Sequence, residues 1–150
     1  MRIVVLVGLP GCGKSTYLAR MGVRGISSDA IRGLLADDER DQTIHERVFQ
    51  TVRYLVRQRI AIGRPVTYVD ATNLRAEERA PYLAIGDQYG CEVEAIYFDV
   101  PLSVCIERNA LRDRVVPLEA MEAMARKLAI PTTKEGFTQV TVVQGAEMPI

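Results

Sequence analysis

The chain has no surplus of charge: 19 lysines and arginines offset 19 aspartates and glutamates over 150 residues. A protein that coats nucleic acid presents a basic excess, so any polyanion handled here should meet a local patch. Cysteine is scarce, and Cys12, Cys91 and Cys105 show neither C-x-x-C nor another metal-ligand spacing, which suits a reducing compartment. His45 is the only histidine, and nothing in the sequence pairs with it, so a solvated or capping role is expected. No run approaches the roughly 18 apolar residues of a membrane span. Met1-Arg2-Ile3 leads straight into a strand, leaving no room for a leader, so no membrane partner is expected and the cytoplasm is the expected compartment. The N-K-x-D motif that reads guanine in nucleotide switches is missing, which argues against a GTP-gated module. Repeats, linkers and low-complexity tracts are missing too, and the length suits one domain over residues 1–150.

What the chain does carry is concentrated in Gly8-Leu9-Pro10-Gly11-Cys12-Gly13-Lys14-Ser15. This is G-x-x-x-x-G-K-S, preceded by the apolar run Ile3–Val7 and followed by Thr16 and a helical pattern, the context the motif requires. Glycines let the backbone adopt positive φ and approach an anion closely. Successive N–H groups then converge at the positive end of a helix. Lys14 is expected to reach the terminal phosphates of a nucleotide, and the Ser15 hydroxyl to ligate Mg²⁺. Cys12 is read as a small residue filling a loop position rather than a redox group.

Beyond this loop, strand and helix patterns alternate. A brief strand over 24–27 precedes a helix capped by Ser28 or Asp29, with Ile31, Leu34 and Leu35 on its buried face. Residues 42–62 repeat apolar positions at helical spacing (Ile44, Val48, Val52, Leu55, Val56, Ile60) until Gly63. Val66–Asp70 reads as a buried strand, followed by a helix over 75–89 in which Pro81 predicts a late start or a kink. A strand over Glu92–Asp99, a helix from Pro101, a helix from Pro117 to Leu128 and a strand over 137–144 complete the pattern. Alternation of this kind implies a parallel sheet covered on both faces, with ligands beyond the carboxyl ends of its strands.

Phosphoryl transfer needs a phosphate cradle, a divalent metal, a group that orients the nucleophile, and positive charge on the transferring group. Asp70 ends a hydrophobic strand, as a Mg²⁺-holding acid would; a capping or turn residue is the alternative. Asp29 and Arg32 stand three apart at a helix start and so share a face. The carboxylate could accept a proton from an attacking hydroxyl while the guanidinium grips an acceptor phosphate; a local ion pair is the alternative. Arg108, Arg112 and Arg114 crowd one helix end, where like charges repel unless an anionic partner is present. They could instead form a solvated helix end, partly neutralised by Glu107 and Asp113.

Taken together, GLPGCGKST, SSDAIR with its D-x-x-R, VDATN, RNALRDRVVP and PTTKEGF resemble the P-loop polynucleotide 5′-kinases and the small bacterial kinases grouped with them. The resemblance runs over nearly the whole chain in the family's order. It implies a P-loop NTPase fold of the α/β class: an adenylate-kinase-like five-stranded parallel sheet, helices on both faces, and an arginine-bearing lid. It implies ATP and Mg²⁺ as cofactors and the 5′-OH end of DNA or RNA as acceptor. Asp29 would be the general base and Arg32 the contact to the acceptor's phosphate. Arg108 and Arg112, with Arg114 beside them, would lie on the donor phosphates held by Gly8 through Thr16. Asp70, Thr72 and Asn73 would border the acceptor. Related families phosphorylate small molecules from the same scaffold, so a metabolite or antibiotic acceptor stands as an alternative, and a nucleotide-gated binding module as another. Oligomeric state is not read from the chain.

Overall fold

A computed structural model describes residues 1–144. Five parallel strands form one sheet in the order β2-β3-β1-β4-β5: β1 is Arg2–Val7, β2 Gly25–Ser27, β3 Val66–Asp70, β4 Glu92–Asp99 and β5 Gln139–Gln144. The α/β fold expected from the alternation is therefore present. Its helices are α1 (Lys14–Arg20), α2 (Ser28–Ala36), α3 (His45–Ala61), α4 (Ala76–Tyr89), α5 (Leu102–Ala110) and α6 (Leu118–Lys127).

Central β1 shows why its sequence is apolar throughout. Side chains alternate across a strand, so Ile3, Val5 and Val7 join one cluster while Val4 and Leu6 join another. The first cluster is closed by Ile31 of α2, by Val48, Val52, Val56 and Ile60 of α3, and by Tyr82 and Ile85 of α4. The second is closed by Leu18 of α1, Cys105 of α5 and Met121 of α6. Every residue of β1 after Arg2 is buried, as a strand covered on both faces requires. The four-residue repeat in α3 keeps its valines on one buried stripe, and its outer face mixes charged residues with the exposed Tyr54 and Leu55.

Three local expectations are corrected. The cap of α2 is Ser27, whose hydroxyl accepts from the Ala30 N–H at 3.1 Å, not Ser28 or Asp29. Asp29 thereby keeps its carboxylate for other partners. Leu34 and Leu35 are 82% and 52% exposed rather than buried; β2 is a three-residue edge strand, and burial in α2 is confined to Ser28, Ile31 and Arg32, so the last turn runs past the core. Pro81 does not delay α4, which begins at Ala76. Pro81 is the sixth residue of the helix, so α4 forgoes the bond to the Glu77 carbonyl and carries the ring beside it.

Candidate functional site

The loop between β1 and α1 folds as its glycines dictate. Gly11 and Gly13 have φ of 81° and 101°, a region that side chains with a Cβ rarely enter. At Gly11 a Cβ would also lie 2.6 Å from the carbonyl of Cys105 and 3.1 Å from the Asn109 nitrogen. The loop thus rests directly on α5, and only glycine allows that approach. Cys12 is fully buried in the core beneath the loop, matching the small-residue reading. Burial, with Cys12 beside it, pushes the Cys105 thiol up to about 11. Lys14 is turned back over the loop: its Nζ donates to the carbonyls of Gly8 at 2.8 Å and Leu9 at 2.9 Å.

Two ties align the neighbouring strand ends with this loop. The Gly8 N–H donates to the Thr72 carbonyl at 3.0 Å, and the Asn73 side chain donates to the Leu6 carbonyl at 2.8 Å. Asp70 is thereby brought to the start of α1, where the Ser15 hydroxyl donates to its Oδ2 at 2.8 Å. An alcohol and a carboxylate this close are hard oxygen donors suited to Mg²⁺, which is held by one or two carboxylates plus phosphates and waters. No cluster of three or more His, Cys, Asp or Glu occurs among the described residues, so the pair fits a metal shared with a ligand rather than a protein cage.

In the sheet register Ser27 faces Asp70, which sets Asp29 at the rim of the same opening. A cavity of about 1010 Å³ is lined by Gly11, Gly13, Lys14, Ser15 and Thr16 of the loop, by Asp29 and Arg32, by Asp70 and Thr72, and by Arg108, Arg112 and Arg114. Asp29 sits among arginines. Arg32 donates from Nη1 to Oδ1 at 3.3 Å, Arg114 from Nη1 to Oδ1 at 3.2 Å and to Oδ2 at 3.3 Å, and Arg112 Nη2 stands 3.5 Å from Oδ2. Arg32 is buried, and that burial lowers its pKa, with Asp29 opposing and Arg114 adding to the shift. Arg112 and Arg114 pair with Asp29, and among the described residues neither Glu107 nor Asp113 forms an ion pair with them. Arg108 lines the cavity beside the loop. His45 is exposed at the cavity edge, its ring 4.8 Å from that of Phe49.

A model of the AAA_33 family, described as an AAA domain, matches residues 3–131. The chain belongs to this family. Solved structures share the fold of this AAA domain at low identity. A provisionally assigned kinase of Chloroflexus aurantiacus is 14% identical with a TM-score of 0.72, over 95% of this chain and 84% of that one. A chain of the Pnkp1/Rnl/Hen1 RNA repair complex is 23% identical with a TM-score of 0.71, over 85% of this AAA domain; only 43% of that longer chain is covered. A sugar kinase of a Janibacter species is 18% identical with a TM-score of 0.68, over 97% and 86% of the two chains. The fold is that of P-loop kinases.

One expected site residue of the AAA domain is corrected. Asn73 is buried and spends its side chain on the Leu6 and Ala71 carbonyls, so it positions the strand ends instead of facing the cavity. Its φ of 47° explains the residue type, since asparagine tolerates the left-handed region. Gly8, Leu9 and Cys12 contribute backbone and packing, and none of them lines the cavity.

Two buried residues have structural roles that no local pattern assigns. Arg79 is completely buried in α4. Its Nε and Nη2 donate to the two oxygens of Glu135, both at 2.9 Å, and its Nη1 donates to the carbonyls of Asn73, Leu74 and Ala129. It therefore ties the loop after β3 to the segment after α6, whereas its setting in RAEERA reads as a solvated helix face. Asn109, also buried, donates to the Val116 carbonyl at 2.7 Å and accepts from the Val116 N–H at 3.0 Å. That clasp closes the loop presenting Arg112 and Arg114.

Proposed function

We propose that this AAA domain is an ATP- and Mg²⁺-dependent kinase that moves the γ-phosphate to a hydroxyl, with the 5′-OH end of DNA or RNA as acceptor. The observation that carries the reading is the single cavity in which the Asp29 carboxylate and the phosphate loop face the same space. Backbone N–H groups of residues 11–15 would hold the donor phosphates, and Lys14 would exchange its carbonyl partners for them. Ser15 and Asp70 would hold a Mg²⁺ ion, which would supply charge neutralisation on the donor phosphates. Asp29 accepts the acceptor's proton while the freed oxygen bonds to the γ-phosphorus; the bond to the bridging oxygen breaks, and its electron pair leaves with ADP. Arg108 and Arg112 meet the charge that develops, and Arg32 grips a phosphate of the acceptor.

A second reading keeps the chemistry and replaces the polymer by a small metabolite; the zero net charge favours it. Labelled ATP incubated with a 5′-OH oligonucleotide separates the two. Label on the 5′ end, with activity that falls steeply as salt rises, supports the polymer. Label on a metabolite and none on the end overturns that acceptor. The location expected for such an enzyme is the cytoplasm, and no helix among the described residues is long and apolar enough to cross a membrane.

A further inference from the structure

We infer that Arg79 is a positioning residue of the Mg²⁺ and ATP seat: it fixes the turn that joins Asp70 to α4, and through that turn it sets Asp70 and the entry of the phosphate loop without touching a ligand. The inference rests on the Mg²⁺ and ATP reading above, and it adds to that seat a residue lying outside the cavity.

The first ground is where the donors of Arg79 go. Side chains in a helix lean toward its N-terminus, and Arg79, in the first turn of α4, reaches back past the start of its own helix. Its Nη1 donates to the carbonyls of Asn73 at 2.9 Å and Leu74 at 3.0 Å. The two carbonyls before them are held as well. The Asn73 side chain donates to that of Ala71 at 3.3 Å, and the Gly8 N–H donates to that of Thr72 at 3.0 Å. Every carbonyl from Ala71 to Leu74 therefore accepts a hydrogen bond. The ties run two ways. Gly8, and Asn73 reaching the Leu6 carbonyl, lock the turn to the end of β1 and the first residue of the phosphate loop. Arg79 locks the same turn to α4 and, through the Ala129 carbonyl, to the segment after α6. Asp70 stands immediately before this turn, with the Ser15 hydroxyl on its Oδ2. Arg79 itself does not line the cavity.

The second ground is that the two edges of the guanidinium do different work. Nε and Nη2 face the two oxygens of Glu135, whereas Nη1 serves the backbone. A buried ion pair adds little stability over apolar groups of the same volume, and its best-attested use is to impose one arrangement. The arrangement imposed here is that of the turn beside the Ser15 and Asp70 oxygens. Groups that orient a metal's ligands from outside typically cost about 10–100-fold in metal affinity or activity when removed.

The test is calorimetric and needs no turnover. ATP binding is measured with and without Mg²⁺ for the wild type, Arg79→Met, Arg79→Lys and Glu135→Gln, at low temperature, with folding checked by dichroism. Glu135→Gln breaks the charge pair but leaves Nη1 on its carbonyls, so it controls for lost stability. The wild type should bind ATP more tightly with Mg²⁺. That gain should fall by about tenfold in Arg79→Met and stay within about twofold of the wild type in Glu135→Gln. Arg79→Lys, a point charge in place of a planar fork, should fall between them, and it carries the comparison if Arg79→Met does not fold. A gain that Arg79→Met and Arg79→Lys leave unchanged overturns the inference. So does an equal fall in Glu135→Gln, which would make the loss a matter of stability, and so does a wild type that gains nothing from Mg²⁺. If no hydroxyl acceptor is phosphorylated, yet the Mg²⁺ gain is present in the wild type and falls in Arg79→Met alone, the kinase reading fails and the role of Arg79 stands.

Discussion

Replacing Arg79 by methionine removes a cation that has no exposure and five donor contacts. Methionine fills most of the space without strain, so packing is little disturbed. What remains is a Glu135 carboxylate without its arginine and the Asn73 and Ala129 carbonyls without this donor, while the Leu74 carbonyl keeps the Ala129 N–H at 2.8 Å. Breaking a buried ion pair on one side costs about 3–5 kcal/mol, against a total stability of about 5–15 kcal/mol. With a urea dependence of about 2 kcal/mol per molar, the unfolding midpoint should fall by about 2 M. Glu135→Gln should cost less, about 1–3 kcal/mol, since the amide keeps one acceptor oxygen and the carbonyls still hold Nη1. The double variant should lose less than the sum of the two, because both act on one interaction. The assay is urea unfolding followed by far-ultraviolet dichroism. A midpoint shift below about 0.5 M in Arg79→Met would refute the clamp.

Other outcomes follow from the same contacts. Asn109→Ala opens the clasp on the 110–115 loop; it should lower kcat more than it weakens ATP binding, which steady-state kinetics and calorimetry separate. Ser15→Ala removes one of the two oxygen donors proposed for Mg²⁺, so the Mg²⁺ concentration for half-maximal transfer should rise by about tenfold, as a metal titration would show. Stability should also fall in alkali. Below pH 9 the Cys105 thiol keeps its proton whether the chain is folded or not, and nothing is gained or lost. Between its ordinary value of 9.0 and its folded value of about 11, the unfolded chain ionises first. The Cys105 contribution approaches about 3 kcal/mol once pH exceeds the folded value; thermal melts between pH 9 and 10, below the range in which buried Tyr82 (about 12 when folded) adds its own loss, should show a shallower slope in Cys105→Ala than in the wild type.

Much of the fold was legible because period and punctuation agreed. Val66–Asp70 and Glu92–Asp99 were bounded to the residue, and Pro101 and Pro117 do stand as the N-caps of α5 and α6. The phosphate loop was legible for a different reason: its glycines answer a local backbone demand that no distant contact can change. The misreadings arose where tertiary context decides. Leu34 and Leu35 have helical spacing to Ile31, yet a three-residue edge strand offers them nothing to cover. Asn73 reads as a polar group near an acid at a strand end, but its side chain is consumed by the Leu6 carbonyl of the neighbouring strand and the Ala71 carbonyl of its own loop. Arg79 and Glu135 are 56 positions apart, so no local pattern links them. The contact of Asp29 with Arg32 follows from their spacing of three on one helix; the approach of Arg112 and Arg114 to the same carboxylate depends on how the 110–115 loop folds back.

The most direct test is γ-phosphate transfer by Asp29→Ala, measured beside its affinity for ATP. Loss of a positioned general base should lower kcat by about 10²–10⁴-fold, while the dissociation constant for ATP, held by the loop on the other side of the cavity, stays within about twofold. Transfer at the wild-type rate in Asp29→Ala would contradict the assignment of the base.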